Sequence, residues 1–308
     1  MANISFIWDG KSKTPAGVTT DYYLGVTSGY ANYPNYKEQW TGFNLGYDLI
    51  VSSLPVSGLI NSYAHTRSDS AYSFAITNIN LIIPKNTGYD SLIAEMIKGP
   101  DQWFGDNKNN FFYLSVGGDT YNGGDGIDTV DAFLSKSTWV SSATSFKKIS
   151  PGVIKVDNFG LTNFTLNSVE RLKFSDVSIA FDLDANAGKV VKILGAVFGK
   201  SSVANKEYVG IGLNLLDSGM EYKTLMDLAL NVKLGANYTV ESAVKLLYSN
   251  VFSLNPGVQT LSLFQGLVAD GYTSVAELAM VAAETSANQV NINLVGLSQS
   301  GVEYIPID

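Results

Sequence analysis

The apolar rhythm of the chain changes near residue 185. Before that point apolar residues come in short runs, among them Asn3–Trp8, Tyr47–Val51, Tyr72–Ile76 and Ile79–Ile83, separated by Gly, Asn and Pro. Runs of this length bounded by turn residues predict strands, and their recurrence over residues 1–104 predicts an all-β sandwich or meander. One segment departs from the rhythm. In Tyr89–Lys98, Leu92, Ile93, Met96 and Ile97 share a face behind Asp90, which predicts a helix. Strand-like runs return over 132–184, in Val153–Val156, Val169–Phe174 and Val177–Leu183.

After Asn186 the apolar spacing becomes helical. Lys189–Phe198, Tyr208–Leu216, Tyr222–Val232, Val240–Phe252, Val258–Ala269 and Ser274–Thr285 each place apolar residues three to four apart. Ser274 stands three residues before Glu277, the spacing of a capping box, and Thr239 followed by Glu241 marks another start. Asn186 is the expected N-cap of the first helix, and Gly199 and Gly219 are expected stops. The segment also repeats itself. Val190–Phe198 parallels Ala243–Val251, and Leu216–Leu225 parallels Val268–Val275, a period of about 53 residues or three helices per unit. The fold class expected is α+β multidomain, with a β-rich domain over 1–104, a short parallel β-roll with following strands over 105–184, and an all-α repeat domain over 185–308.

The β-roll rests on residues 105–131. Written in nines they read Gly-Asp-Asn-Lys-Asn-Asn-Phe-Phe-Tyr, Leu-Ser-Val-Gly-Gly-Asp-Thr-Tyr-Asn and Gly-Gly-Asp-Gly-Ile-Asp-Thr-Val-Asp. The last fits the nonapeptide G-G-x-G-x-D-x-U-x of calcium-binding parallel β-rolls at every constrained position. Its glycines turn tightly and present carbonyl oxygens, its sixth residue adds a carboxylate, and hard Ca²⁺ takes six to eight such oxygens. The sixth positions are Asn110, Asp119 and Asp128; the eighth, expected to point inward, are Phe112, Tyr121 and Val130. If two nonapeptides make one turn, Asp106 and Asn110 face Gly123, Asp125 and Asp128 across one ion. Asp119 then lies on the opposite side, where its would-be partner 132–137 lacks acidic ligands. A second acidic run, Asp182–Gly188, starts like an EF-hand loop, but its glycine is one place late and Ile193 stands where a bidentate Glu belongs. It reads better as a strand end leading into a helix.

Composition removes several chemistries. There is no cysteine and one histidine, so thiol nucleophiles, disulfides and His-rich metal clusters are out. A net charge of −8 with only Arg67 and Arg171 as guanidinium sources argues against nucleic acid. No apolar run approaches the roughly 20 residues of a transmembrane helix, and Met1–Trp8 has no secretory-leader pattern. Neither G-x-S-x-G nor H-E-x-x-H occurs, and His65 in Ser62–Ser70 reads as an ordinary strand or loop histidine. No catalytic constellation emerges, so the expectation is a protein that is not an enzyme.

The combination Gly117–Val130, Asn167–Asp176 and Ile179–Gly188 resembles the C-terminal part of repeats-in-toxin (RTX) proteins, and the helical tail resembles a domain often attached to them. The resemblance covers about 105–308; the array is short, and its first two nonapeptides lack the full glycine pattern. It implies export by type I secretion machinery, an uncleaved signal within Gln289–Asp308, and folding outside the cell in millimolar calcium. The expected protein is therefore secreted and calcium-stabilised. It is expected to assemble with copies of itself at the cell surface or in the extracellular matrix, as an S-layer, filament or biofilm component. Aromatic residues are dense in the N-terminal part, and Tyr30, Tyr33, Tyr36 and Trp40 in its aliphatic-poor stretch are candidate surface contacts. They leave open a monomeric adhesin or lectin that binds a cell-surface glycan; a secreted hydrolase with an unrecognised site is the third alternative.

Overall fold

The computed structural model describes residues 3–8, 11–13, 22–32, 36–48, 55–67 and 73–83 as backbone. It describes 100–114, 117–132, 135–136, 145–158 and 162–307 with side chains, except at 158 and 162. The helix expected over Tyr89–Lys98 lies outside the described residues. The chain divides into two compact units, Met1–Lys173 and Phe174–Asp308. A β-rich part thus precedes a helical one, and each unit has its own internal logic.

In the first unit, strands β1 (Asn3–Trp8), β2 (Lys11–Lys13), β3 (Tyr22–Asn32), β4 (Tyr36–Asp48), β5 (Pro55–Arg67) and β6 (Ser73–Ile83) pair antiparallel. From β3 to β6 each strand pairs with the next in sequence. The last of these pairs antiparallel with β7 (Gln102–Phe104), where the connectivity changes.

From β7 onward the chain coils. Strands β7, β9 (Thr120–Asn122) and β13 (Thr162–Asn167) stack parallel on one side, with Trp103, Tyr121 and Leu166 in register. Strands β8 (Phe111–Tyr113), β10 (Thr129–Asp131) and β14 (Arg171–Lys173) stack parallel on the other, with Phe112, Val130 and Leu172 in register. The step from Trp103 to Tyr121, and from Phe112 to Val130, is 18 residues, or two nonapeptides per turn. The eighth-position side chains fill the interior: Phe112, Tyr121 and Val130 have no exposed surface. Tyr121 stacks on Trp103 at 5.9 Å and meets Phe112 and Phe164 edge-on at 5.8 and 6.1 Å, geometries that aromatic quadrupoles favour. Between β10 and β13 the coil is interrupted by the antiparallel hairpin β11 (Ser145–Ser150) and β12 (Val153–Asn158), which also pairs with β13.

The second unit joins a two-stranded antiparallel pair, β15 (Ser178–Ala180) and β16 (Val302–Tyr304), to eight α-helices among the described residues. They are α1 (Asn186–Ile193), continued by a π-helical turn over Leu194–Phe198, α2 (Lys206–Asp217), α3 (Tyr222–Leu234), α4 (Val240–Phe252), α5 (Val258–Ala269), α6 (Val275–Glu284), α7 (Ser286–Asn291) and α8 (Leu294–Ser300). The starts of α4, α5 and α6 follow those of α1, α2 and α3 by 54, 52 and 53 residues, in step with the period in the sequence. Val191, Met226 and Ala279 are fully buried where α1, α3 and α6 pack. The loosened carbonyls of the π-turn are held by Asn250, whose Nδ2 donates to the oxygens of Ala196 and Val197 at 2.9 Å.

The end signals at Thr239, Ser274 and Gly199 act as expected. Thr239 accepts from the Ser242 N–H, Ser274 and Glu277 form a reciprocal capping box, and Gly199 ends the π-turn at φ 90°. Asn186 corrects the expectation. It does not cap α1: it is the first residue of the helix, after Ala185 at the N-cap, and its Nδ2 donates to Asp217 at 2.9 Å. Buried Asp182 takes that role instead, its Oδ2 accepting the Ala187 N–H at 3.2 Å.

Candidate metal centre

Two loops, the Asn-rich 105–110 and the Gly-rich 123–128, lie one above the other because the strands that follow them, β8 and β10, pair at an 18-residue step. The stacking is close enough to require glycine. A Cβ on Gly124 would strike the Asp106 carbonyl, and one on Gly126 would press on Lys108. Both glycines have positive φ, 102° and 117°, a region that side chains disfavour. Hydrogen bonds fix the register. The Ile127 N–H donates to Asn109 Oδ1 at 2.9 Å, and the Asn110 N–H donates to Asp128 Oδ1 at 2.6 Å.

Among the expected ligands, Asp106 and Asn110 bind each other across their own loop. The Asp106 N–H donates to Asn110 Oδ1 at 2.7 Å, and Asn110 Nδ2 donates to Asp106 Oδ1 at 3.0 Å. Asp106 and Asp125 are exposed at the outer edge of the stack, while Asn110 and Asp128 are buried. Gly123 is buried against Asp128 Oδ2 and the Ser168 carbonyl. The structure therefore brings Asp106, Asn110, Gly123, Asp125 and Asp128 together and sets Asp119 elsewhere, on the β7–β9 side.

Asp128 is the focus. Its Oδ2 is buried without a hydrogen-bond partner. Burial pushes its carboxyl up to about 7, opposed by the Asn110 N–H and reinforced by Glu170, Asp106 and Asp125. A buried acid among other acids is a poor arrangement alone and a favourable one around a cation. The surroundings are rich in hard oxygen, with the carbonyls of Asp106, Lys108, Gly123 and Ser168 turned toward glycine positions of the stack. Among the described residues no group of three or more His, Asp or Glu side chains is placed to hold a metal ion. A cation at Asp128 would have the Ser168 carbonyl oxygen beside the carboxylate, at the Gly123 position, and would need oxygen ligands other than acidic side chains for the rest of its shell. That donor set fits Ca²⁺, which accepts carbonyl oxygen readily.

The opposite side of the coil repeats the device. The Asp101 N–H donates to Asp119 Oδ1 at 2.9 Å, matching the bond from Asn110 to Asp128. Asp101 is 2% exposed, its Oδ2 has no partner, and burial followed by repulsion from Asp119 raises its carboxyl to about 7. Asp101 was not among the expected ligands. The signal was present: counting nine back from Gly105 gives Met96–Phe104, with Asp101 sixth and Trp103 eighth. Glu170 was also missed; its Oε2 accepts the Asp128 N–H at 2.8 Å and ends the column of loops.

The remaining expectations fall elsewhere. Asp182 and Gly188 make a main-chain turn into α1, in which the Gly188 N–H donates to the Asp182 carbonyl. Tyr33 and the side chains of Tyr30, Tyr36, Trp40 and His65 lie outside the described residues, as does half of 132–137. Among the described residues no helix is long and apolar enough to cross a membrane. In comparisons with known proteins, no family model, no curated protein and no solved structure matched the chain.

Proposed function

We propose that this chain is an RTX-like, secreted structural protein whose short β-roll is held by Ca²⁺ and which assembles with copies of itself at the cell surface or in the extracellular matrix. The observation that carries the calcium reading is the buried Asp128 carboxylate, its Oδ2 without a hydrogen-bond partner, inside two stacked loops. Asp128 supplies the buried carboxylate, and Asp106 and Asp125 add negative charge at the rim. Calcium neutralises this cluster and cross-links loops that otherwise repel, so the coil tightens where calcium is millimolar and loosens where it is scarce. Such a chain travels through an export channel unfolded and sets on arrival, without disulfides.

Assembly is the second half of the reading and is tested separately. Purified protein imaged by electron microscopy should form ordered sheets or filaments with millimolar calcium and none after chelation. A stable monomer at high concentration with calcium bound would leave the metal centre standing and refute assembly. Absence of any calcium-dependent heat or thermal shift would refute the metal centre itself.

A further inference from the structure

We infer that the helical unit binds the alkyl chain of a small carboxylate in an apolar cleft between α1, α2 and α3. The cleft has a volume of about 180 Å³, and a counterpart of about 150 Å³ lies between α4, α5 and α6. Repeat-related positions line both: Phe198 and Phe252, Leu225 and Leu278, Ala229 and Ala282 are identical pairs. The internal repeat therefore reproduces a hollow as well as three helices.

Size and lining fix the ligand's body. A dry apolar cavity of ~150 Å³ holds a six-carbon ring, so the larger cleft suits a chain of about six to eight carbons. Its walls are almost wholly carbon, so a peptide laid in it would strand its amides, whereas an alkyl chain has none to strand. The mouth leaves apolar surface exposed at Tyr208, Ile211 and Leu228, each 41–44% accessible, which a ligand would cover.

Charge at the rim fixes the head. Lys233 Nζ stands 5.8 Å from the ring centre of Phe198, which lines the cleft and also meets Tyr208 at 5.6 Å. The Lys233 ammonium beside this ring offers a donor to a carboxylate whose tail enters below, and the Tyr208 ring packs against the same phenyl group. In the counterpart cleft the position of Lys233 is taken by Ser286, and that of Gly212 by Phe264, whose ring lines the hollow. The first cleft is therefore the anion-selective one.

The test is calorimetric titration of the full chain with octanoate and, as an uncharged probe of the same length, octan-1-ol. Octanoate should bind at one dominant site, and Leu228→Glu should abolish binding while the helical circular dichroism persists. Should that variant unfold, Val232→Glu, at a position 69% exposed on the same rim, replaces it. Lys233→Gln should weaken octanoate about two- to fivefold, the range of an exposed ion pair, and leave octanol unchanged. No binding of octanoate at millimolar concentration would overturn the site. So would binding undiminished by a folded Leu228→Glu or Val232→Glu chain. Equal weakening of both probes by Lys233→Gln would overturn the role of the ammonium.

Discussion

Calcium binding should release protons, in an amount set by Asp128. Burial holds this carboxyl at about 7 in the metal-free chain. An acid with that value is about nine-tenths protonated at pH 6 and about one-tenth at pH 8. A cation needs the ionised form, so each ion bound at Asp128 displaces about 0.9 proton at pH 6 and about 0.1 at pH 8. Affinity should rise about tenfold from pH 6 to pH 8. The assay is calorimetry at each pH in two buffers of different ionisation enthalpy, whose difference in heat counts the protons. The metal-free fold responds in the matching direction. A carboxyl raised in the folded state favours the fold when protonated, so that contribution is present below about pH 4 and is lost as pH rises through about 7. With calcium bound this decline should vanish. Calcium binding at pH 6 without proton release would refute Asp128 as the ligand, and so would release that is undiminished in Asp128→Asn.

Asp101→Asn should remove a separate proton release of similar size if the β7–β9 side also takes a cation; an unchanged count would confine binding to the β8–β10 side. Gly126→Ala places a Cβ against Lys108 at positive φ and should cost about 1–3 kcal/mol in urea unfolding; a neutral result would mean the loops do not stack this closely. Ser274→Ala removes the cap of α6 and should cost about 1 kcal/mol, read from thermal unfolding. Glu277 is held down to about 2, first by Lys223 and then by Ser274. Its support for the helical unit should therefore persist through mild acid and fade only as pH falls from the ordinary carboxylate range toward 2; Glu277→Gln should flatten that part of the curve.

The parts of the fold that follow a strict spacing were legible in the sequence. Phe112, Tyr121 and Val130 fall nine apart and are buried, because a coil of two nonapeptides per turn sends every eighth residue inward. Helices and their caps were legible because a hydroxyl before an apolar stripe has few other uses. What escaped was wherever phase is lost. Met96–Phe104 keeps only one glycine, so its sixth aspartate and eighth tryptophan did not stand out. Glu170 is the last residue of a three-residue corner, Ser168–Glu170, where the loop below spends six, so counting in nines does not reach it. Asn186 failed as a cap because the helix already begins at it, with Ala185 at the N-cap and Asp182 accepting the Ala187 N–H, and short-range pattern carries no record of Asp217, the partner 31 residues away to which its Nδ2 donates.

The hairpin between β10 and β13 shows what the coil tolerates. Thr165 lies 45 residues beyond its register partner Thr120, where an uninterrupted coil would place that partner at 18. Closing the longer span costs under about 1 kcal/mol more, since loop entropy grows only with the logarithm of length. The coil therefore need not be contiguous in sequence to be continuous in space. Its number of turns can change by whole 18-residue steps, and foreign segments can be housed between turns, without disturbing the pairing on either side. If calcium clamps the loops as proposed, a coil built this way is an extensible splint: each added turn contributes another pair of stacked loops, so rigidity and metal demand would scale together with length.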